Sequence, residues 1–508
     1  MIAPGIFYKW VPNFVRIPVL LLLYFATLDF KGVFQGNTTD IFSDLGIYSE
    51  TYTAAYNAIY IGMGVALMIH MRFAARFPVK TLILYGLVVQ FLMHIVCAIS
   101  SWPLLSILAC FALGFGKAAA MKELYNFWAA IWSREGDRSR IYPFVFTLGL
   151  AGTFLLYWGM TRLAFLYNWR YAYVLIISCL SACILLACTL FEHHPLHRPL
   201  PLYQMDWLGL SLLCCFMMLI NYAGVYGQVE DWLNSPRIRF ALLLAPAVGL
   251  GFFLREATVR RPLLPLRLFS TPHYLPGLLL FLTTGLYVPA AVQFLYSQEV
   301  LRIELSRAVE LNLFMIPGVV IGAVWAWLWY RFKLSPLVLI CTGMLACIGY
   351  NILFYQQLTA TEGLRSFRLP GIFKGFGICI LYISLGIQTT NQLPLKDLPT
   401  GIGFMILIRS FLGRGIFSAM FTYWLYTGRI YHLNILAGQL DPGWRYRWHG
   451  APAAGDYNVF MQRQAYLAAA KELTGGIILV GLAIVLALVI WTAIRKVRLH
   501  FPDLNESF

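Results

Sequence analysis

Ionisable side chains stand inside long apolar stretches at several points in this 508-residue chain. Asp29 and Lys31 share one stretch, Lys117, Lys122 and Glu123 a second, Arg409 and Arg414 a third, and Lys374 begins a fourth. A charge in hydrocarbon is costly unless it is paired or faces an internal cavity, so each of these residues is a functional candidate. The chemistry open to them is proton binding and release, which needs a carboxylate whose proton affinity shifts with burial and with a neighbouring cation. Asp29 and Glu123 are the mid-span carboxylates. Asp29 and Lys31 point to different faces of a helix and do not pair directly. Lys117 falls at a depth comparable to Asp29, so an Asp29–Lys117 ion pair is expected if their helices are neighbours.

Other chemistry finds less support. GFGKAAAM, from Gly114, lacks the spacing and the following Ser or Thr of a P-loop, which removes the basis for ATP hydrolysis. His193, His194 and His197 form a compact cluster in HHPLH that could bind a metal, as one box of a membrane di-iron oxygenase. Further clusters would be required, and the remaining histidines are scattered singly, so a polar loop is the expected reading. The ten cysteines all sit in apolar stretches, as small buried side chains do, and no disulfide framework is expected.

The elements that must position these groups follow from composition. The chain is 60% hydrophobic and 12% charged, about half the charged fraction of soluble domains. It cannot cover its surface with polar groups, so lipid is its solvent. Runs of about twenty apolar residues are long enough to cross a bilayer as helices. Fourteen such runs are expected, over 16–36, 50–70, 81–100, 104–131, 141–163, 171–191, 206–226, 237–254, 273–297, 308–330, 335–356, 370–392, 401–427 and 468–494. The first run follows Lys9 and Arg16 like a signal peptide, but no small-residue cleavage site follows and Asp29 and Lys31 interrupt it. It is read as a retained helix.

The net charge of +16 is spread over short inter-helix clusters, which argues against nucleic-acid binding. Arg72, Arg76 and Lys80, then Arg134, Arg138 and Arg140, then Arg255, Arg260, Arg261 and Arg267, then Arg331 and Lys333, fall in alternate loops. The excess of cations on one side places those loops and both termini in the cytoplasm. The longest outside loop, 428–466, is an exception that carries Arg429, Arg445, Arg447 and Arg463. Trp102, Trp128, Trp132, Trp444 and Trp448 sit near helix ends, where an interfacial aromatic belt forms.

An internal echo links ARFPVKTLILYG, from Ala75, with YRFKLSPLVLICTG, from Tyr330. It follows the second and tenth spans. If spans seven and eight are an inserted pair, these are corresponding loops of two related six-helix halves enclosing a midplane site. The expected division is a six-helix bundle over 1–200, an inserted pair over 201–262, and a second six-helix bundle over 263–508 with the 428–466 segment as a periplasmic loop.

On these residues the chain resembles the major facilitator superfamily, in its fourteen-helix drug:proton antiporter branch of the EmrB/QacA type. LLLYFATLDF matches the first-helix Leu-Asp signature, and Asn37, Thr38 and DIFSDLG its Asn-rich exit; NWRYAYVL from Asn168 matches the opening of the sixth helix. The inserted pair is the most similar stretch, through MDWLGLSLL, GQVEDWLNSPRI and FFLREATVRRPLLPLRLF. Later, LRSFRLPGIFKGFG, DLPTGIGFMILIRSFLGRGIFSA and RQAYLAAAKEL resemble the twelfth, thirteenth and last helices. There are departures. Met71 and Ala75 replace a Gly and an Asp in the loop after helix two, Cys110 replaces a fourth-helix Arg, and GLAGTFLLYWG lacks the fifth-helix proline of the antiporter signature.

The resemblance implies an all-α membrane transporter without a cofactor, not an enzyme, in the bacterial inner membrane, exporting small amphipathic compounds against entering protons. Asp29 would carry the proton, Lys117 and Arg409 would compensate charge, Lys31 would belong to the same coupling cavity, and Lys122 and Glu123 would line or gate the inner half. Arg76, Lys80 and Arg331 would form an inner gate. A periplasmic adaptor and an outer-membrane channel are the implied partners, docking on 428–466. Within transport, a proton symporter for a nutrient or siderophore is the alternative; outside it, the metal oxygenase.

Overall fold

Helical structure stops inside the first apolar run. In a computed structural model, which describes residues 6–31, 41, 44, 46, 48–132, 137–193, 203, 205–288, 290–360, 362–439 and 454–500, helix α1 (Asn13–Asp29) stops at Asp29 and Phe30 turns extended. Among the described residues, thirteen helices after it are long and apolar enough to cross a membrane. They are α2 (Ser49–Ala74), α3 (Val79–Ile99), α4 (Pro103–Trp132), α5 (Arg138–Leu166), α6 (Trp169–Leu190), α7 (Trp207–Tyr226) and α8 (Pro236–Thr258). Then come α9 (Tyr274–Glu299), α10 (Glu310–Arg331), α11 (Pro336–Gln356), α12 (Leu364–Thr390) and α13 (Leu398–Gly438). The last, α14, runs over Ala454–His500. The described residues contain no β-sheet, only the isolated bridge between Phe7 and Phe191. Multi-pass membrane insertion follows from this set of helices. Asn37, Thr38, Arg134, His194, His197, Trp444, Arg445, Arg447 and Trp448 lie outside the described residues.

Helix α9 is also interrupted. Its regular turns end at Tyr287, and Val288 leaves the helical region before Pro289. Proline supplies no N–H and disfavours helical geometry in the residue before it, so this break is written locally. The freed carbonyl of Tyr287 accepts 2.9 Å from Asn351 Nδ2 of α11. At the α1 break the Phe30 carbonyl accepts from Lys117 Nζ of α4. Within a bilayer such carbonyls must be satisfied by protein, and a polar side chain from a neighbouring helix does so in each case.

Close helix crossings recur in pairs. A Cβ at Gly62 on α2 would strike the backbone of Phe111 on α4, and one at Gly114 would strike that of Ile59. In the later helices Gly318 on α10 abuts Ile372 of α12, and Gly375 abuts Met315. The spacing is the same in both crossings. Gly86 lies against Gly116 and Ala120, while Gly377 lies against Gly343, so the final glycines of the two echoing segments occupy equivalent contacts. Small residues let membrane helices approach closely enough for backbone packing to hold them together.

At the end of the bundle that carries the Arg- and Lys-rich loops, the early and late helices touch directly. Gly64 of α2 lies against Gly403 and Leu407 of α13, and Thr400 Oγ1 donates 3.2 Å to the Met68 carbonyl. Arg138 donates 2.6 Å to the Thr390 carbonyl and 2.9 Å to its hydroxyl. The other end has a looser tie, an Arg162–Glu310 ion pair of 2.9 Å between an exposed and a half-buried side chain.

One expectation is corrected. The segment 428–466 is not mainly a loop, because α13 continues to Gly438 and α14 begins at Ala454. These extensions pair with each other: Gly428 packs on Ala469, Arg429 donates 3.1 Å to Gln462, and His432 meets Glu472 at 3.0 Å. A helix beyond the hydrocarbon needs no apolar run, so hydropathy does not mark it.

Candidate functional site

The broken end of α1 brings Asp29 into the middle of the bundle. It is 2% exposed. Thr153 of α5 donates 2.7 Å to its Oδ1, whereas Oδ2 has no partner. A Cβ at Gly152 would press on that same oxygen and on Phe25, so the glycine is what lets α5 admit the carboxyl group. Lys31 and Lys117 both stand close enough to act on its charge, and α1 and α4 are neighbours. The direct Asp29–Lys117 ion pair is not formed. Lys117 donates to the Phe30 carbonyl instead.

Two residues on, Lys31 points into a group of phenols. Its ammonium lies 5.4, 5.9 and 5.3 Å from the ring centres of Tyr56, Tyr60 and Tyr157, a cation–π arrangement. The Tyr56 hydroxyl is 3.5 Å from Lys31 Nζ and 3.0 Å from the Tyr60 hydroxyl. It also accepts 3.3 Å from Arg414 of α13. Tyr56 is therefore a junction between early and late helices.

The two α13 arginines reach this junction because the helix is wound differently there. Leu407–Ile416 is a π-helical stretch. In an α-helix residues five apart diverge by about 140°; the π turn, bonded from i to i+5, brings them toward one side. Tyr60 and Tyr382 accordingly act on both guanidiniums. Arg409 is stacked 4.5 Å from the Tyr382 ring centre and 5.5 and 5.8 Å from those of Phe146 and Phe281. Its Nη1 is buried without a partner. Arg414 is exposed although its guanidinium reaches the Tyr56 hydroxyl. Among the described residues no carboxylate pairs with either guanidinium.

Glu123 is brought elsewhere. Its Oε1 is 2.8 Å from His70 Nε2 of α2, with both side chains buried, and Lys122 donates 2.5 Å to Asn126. Lys374 donates 2.7 Å to Gln293 Oε1 and is 3.5 Å from the Tyr350 hydroxyl.

Arg76, Lys80 and Arg331 are not assembled. Arg76 is exposed after α2. Lys80 donates 2.9 and 2.6 Å to the Cys188 and Phe191 carbonyls at the end of α6, and Arg331 stacks on Trp327. The contacts that join early and late helices at this end are instead those of Arg138, Thr390, Thr400 and Met68. Among the described residues no group of three or more His, Cys, Asp or Glu side chains is placed to hold a metal; His194 and His197 are outside that set. A separate cleft of about 390 Å³ between α8, α9 and α13 is lined only by apolar side chains, Phe253, Leu279 and Ile408 among them, and offers no proton-binding group.

The chain's relatives are transport proteins. It is 26% identical over 219 residues to the colistin resistance protein EmrB of Acinetobacter baumannii, a match covering 41% of each chain. It is 20% identical over 262 residues to the multidrug export protein EmrB of Haemophilus influenzae, covering 49% of this chain and 48% of that one. The matches thus span less than half the length of these relatives. Among solved structures, tetrameric PepTSo2 superposes with a TM-score of 0.59 at 10% identity, over 94% of this chain and 98% of that one. The nucleoside transporter NupG gives 0.52 at 12% identity, over 92% and 98%. At such identities these two establish the fold alone. The family model described as Major Facilitator Superfamily matches residues 19–433, and with this set of helices the chain belongs to that superfamily.

Proposed function

We propose that the protein is a secondary transporter that exports small amphipathic compounds in exchange for protons. The observation that carries this reading is Asp29, a buried carboxyl group at a helix break with one oxygen bonded to Thr153 and the other unpartnered. Such a group can take and release a proton without dismantling a network, and broken helices at the midplane are where transporters place coupling sites. The similarity to the multidrug export protein EmrB of Haemophilus influenzae supports export. Lys31 and Lys117 compensate charge around the carboxylate. The recurring glycine crossings support two six-helix halves, 1–200 and 263–508, with 201–262 inserted between them. The loop charges support an inner-membrane location with both termini in the cytoplasm.

The cargo is neutral or acidic. The guanidiniums of Arg409 and Arg414 face phenols and no described carboxylate, and a cationic compound would add like charge at close range. In inside-out vesicles carrying the protein, an acidic lumen is expected to drive accumulation of the neutral dye Nile red, but not of tetraphenylphosphonium. Accumulation only under an alkaline lumen would mean that cargo travels with the proton and would replace export by symport.

The paired extensions of α13 and α14 are the docking surface for a periplasmic adaptor that leads to an outer-membrane channel. Ile430, Tyr431 and Ile435 are exposed on them, an apolar and aromatic composition suited to protein contact. Removing 430–464 and closing the gap with a short Gly-Ser linker is expected to abolish co-purification of the adaptor while leaving Nile red transport in vesicles. Undiminished co-purification would place docking elsewhere.

A further inference from the structure

His70 and Glu123 form a polar pair that the central site does not use. Imidazole Nε2 and carboxylate Oε1 are 2.8 Å apart, with side-chain exposures of 3% and 7%. Glu123 Oε2 also accepts 3.4 Å from Asn126, which lies at the exposed end of the group and holds Lys122. The pair therefore has a buried side and a side that reaches the surface. Its position along the bundle matters. Glu123 is six residues beyond Lys117 on α4, about 9 Å nearer the end with the basic loops. His70 is two residues beyond Met68, whose carbonyl accepts from Thr400 where the early and late helices meet. From α13 this contact presents Thr400, Gly403 and Leu407, none of which titrates. Lys122, on α4 itself, is the further charged group facing Glu123.

A pair that served only to join α2 and α4 would not need ionisable groups, since those helices already pack backbone to backbone at Gly62 and Gly114. Burying an ionisable pair costs desolvation that a hydrophobic contact avoids, whereas imidazole is the side chain best suited to pass a proton near neutral pH.

We infer that His70 and Glu123 are a second proton-binding site, through which the proton leaving Asp29 reaches the cytoplasmic side. The inference rests on the proton-coupled reading above. The proton leaves the Asp29 carboxyl group, crosses by water, and is held by the imidazole–carboxylate pair as one shared proton. It then leaves past Asn126 and Lys122, restoring neutral imidazole and carboxylate. No other bond changes. The site sits beside the Met68–Thr400 contact, so its charge changes where the two sets of helices must part.

The test uses full-length protein in liposomes with a pH dye on the cytoplasmic side and Nile red as cargo. His70→Gln is expected to slow proton appearance tenfold or more with Nile red affinity unchanged, and added imidazole is expected to restore much of the rate. Glu123→Asp should keep most of the rate and Glu123→Gln should lose it, which decides the matter if the His70 variant does not fold. Wild-type proton rates in His70→Gln or in Glu123→Gln would overturn the inference, as would a slowed rate that imidazole leaves unchanged. If wild-type protein itself moves no proton with Nile red, the coupled-transport reading is what fails.

Discussion

Asp29→Asn is expected to abolish gradient-driven transport while the protein folds and binds cargo as before. The amide has nearly the shape of the carboxyl group, and its oxygen can still accept from Thr153, so the 2.7 Å bond that positions the side chain survives. What disappears is the capacity to gain and lose charge between Lys31 and Lys117. An imposed pH gradient then has no titrating group at the centre through which to act. Nile red affinity, followed by fluorescence, should change by less than about tenfold, or ~1.4 kcal/mol. Gradient-driven accumulation should fall to the level of empty liposomes. A variant that binds cargo and still accumulates it would remove Asp29 from the coupling step.

Gly114→Val is expected to prevent assembly of the early helices. Side-chain repacking cannot absorb this change, because the new Cβ meets backbone, with Ile59 Cα at 3.0 Å and the Ile59 carbonyl closer still. Overpacking a core with extra methyl groups costs about 1–3 kcal/mol when side chains can yield. Here two whole helices must separate, and Gly62 is pressed against Phe111 in the same crossing, so the loss should exceed that range. Against a total stability of roughly 5–15 kcal/mol for a typical protein, little monodisperse protein should survive detergent extraction. Gly159→Ala is the control: nothing lies within 4 Å of its added Cβ, and its melting temperature should stay level or rise slightly because alanine favours helix. Wild-type melting of Gly114→Val would contradict the crossing.

The helices were legible because their cause is simple: an apolar run long enough to cross lipid has few alternatives to a helix. The break at Tyr287 could be read from Pro289. The break after Asp29 could not, since LLLYFATLD contains no breaking residue and its exposed carbonyl is sustained by Lys117, far along the chain. The π-helical turns of α13 were hidden for a related reason. Arg409 and Arg414 were visible as unusual charges, but their spacing in an α-helix gave no hint that both face Tyr382. Asp29 stood out because a carboxylate amid leucines is conspicuous. His70 did not stand out, because a single histidine in an apolar helix signals nothing until Glu123 is placed beside it. The same limit affected 428–466, where helices outside the hydrocarbon carry the composition of a connector.

Exchange at this site requires that one proton enters and leaves at Asp29 as cargo crosses. The most direct measurement is proton movement driven by cargo itself, without an imposed gradient, in liposomes holding wild-type protein or Asp29→Asn. Adding Nile red to the cytoplasmic face should move protons toward that face in the wild type and none in the variant, with equal dye binding by both. Equal proton movement by both proteins would contradict the assignment of Asp29, and wild-type protons moving in the same direction as Nile red would contradict exchange.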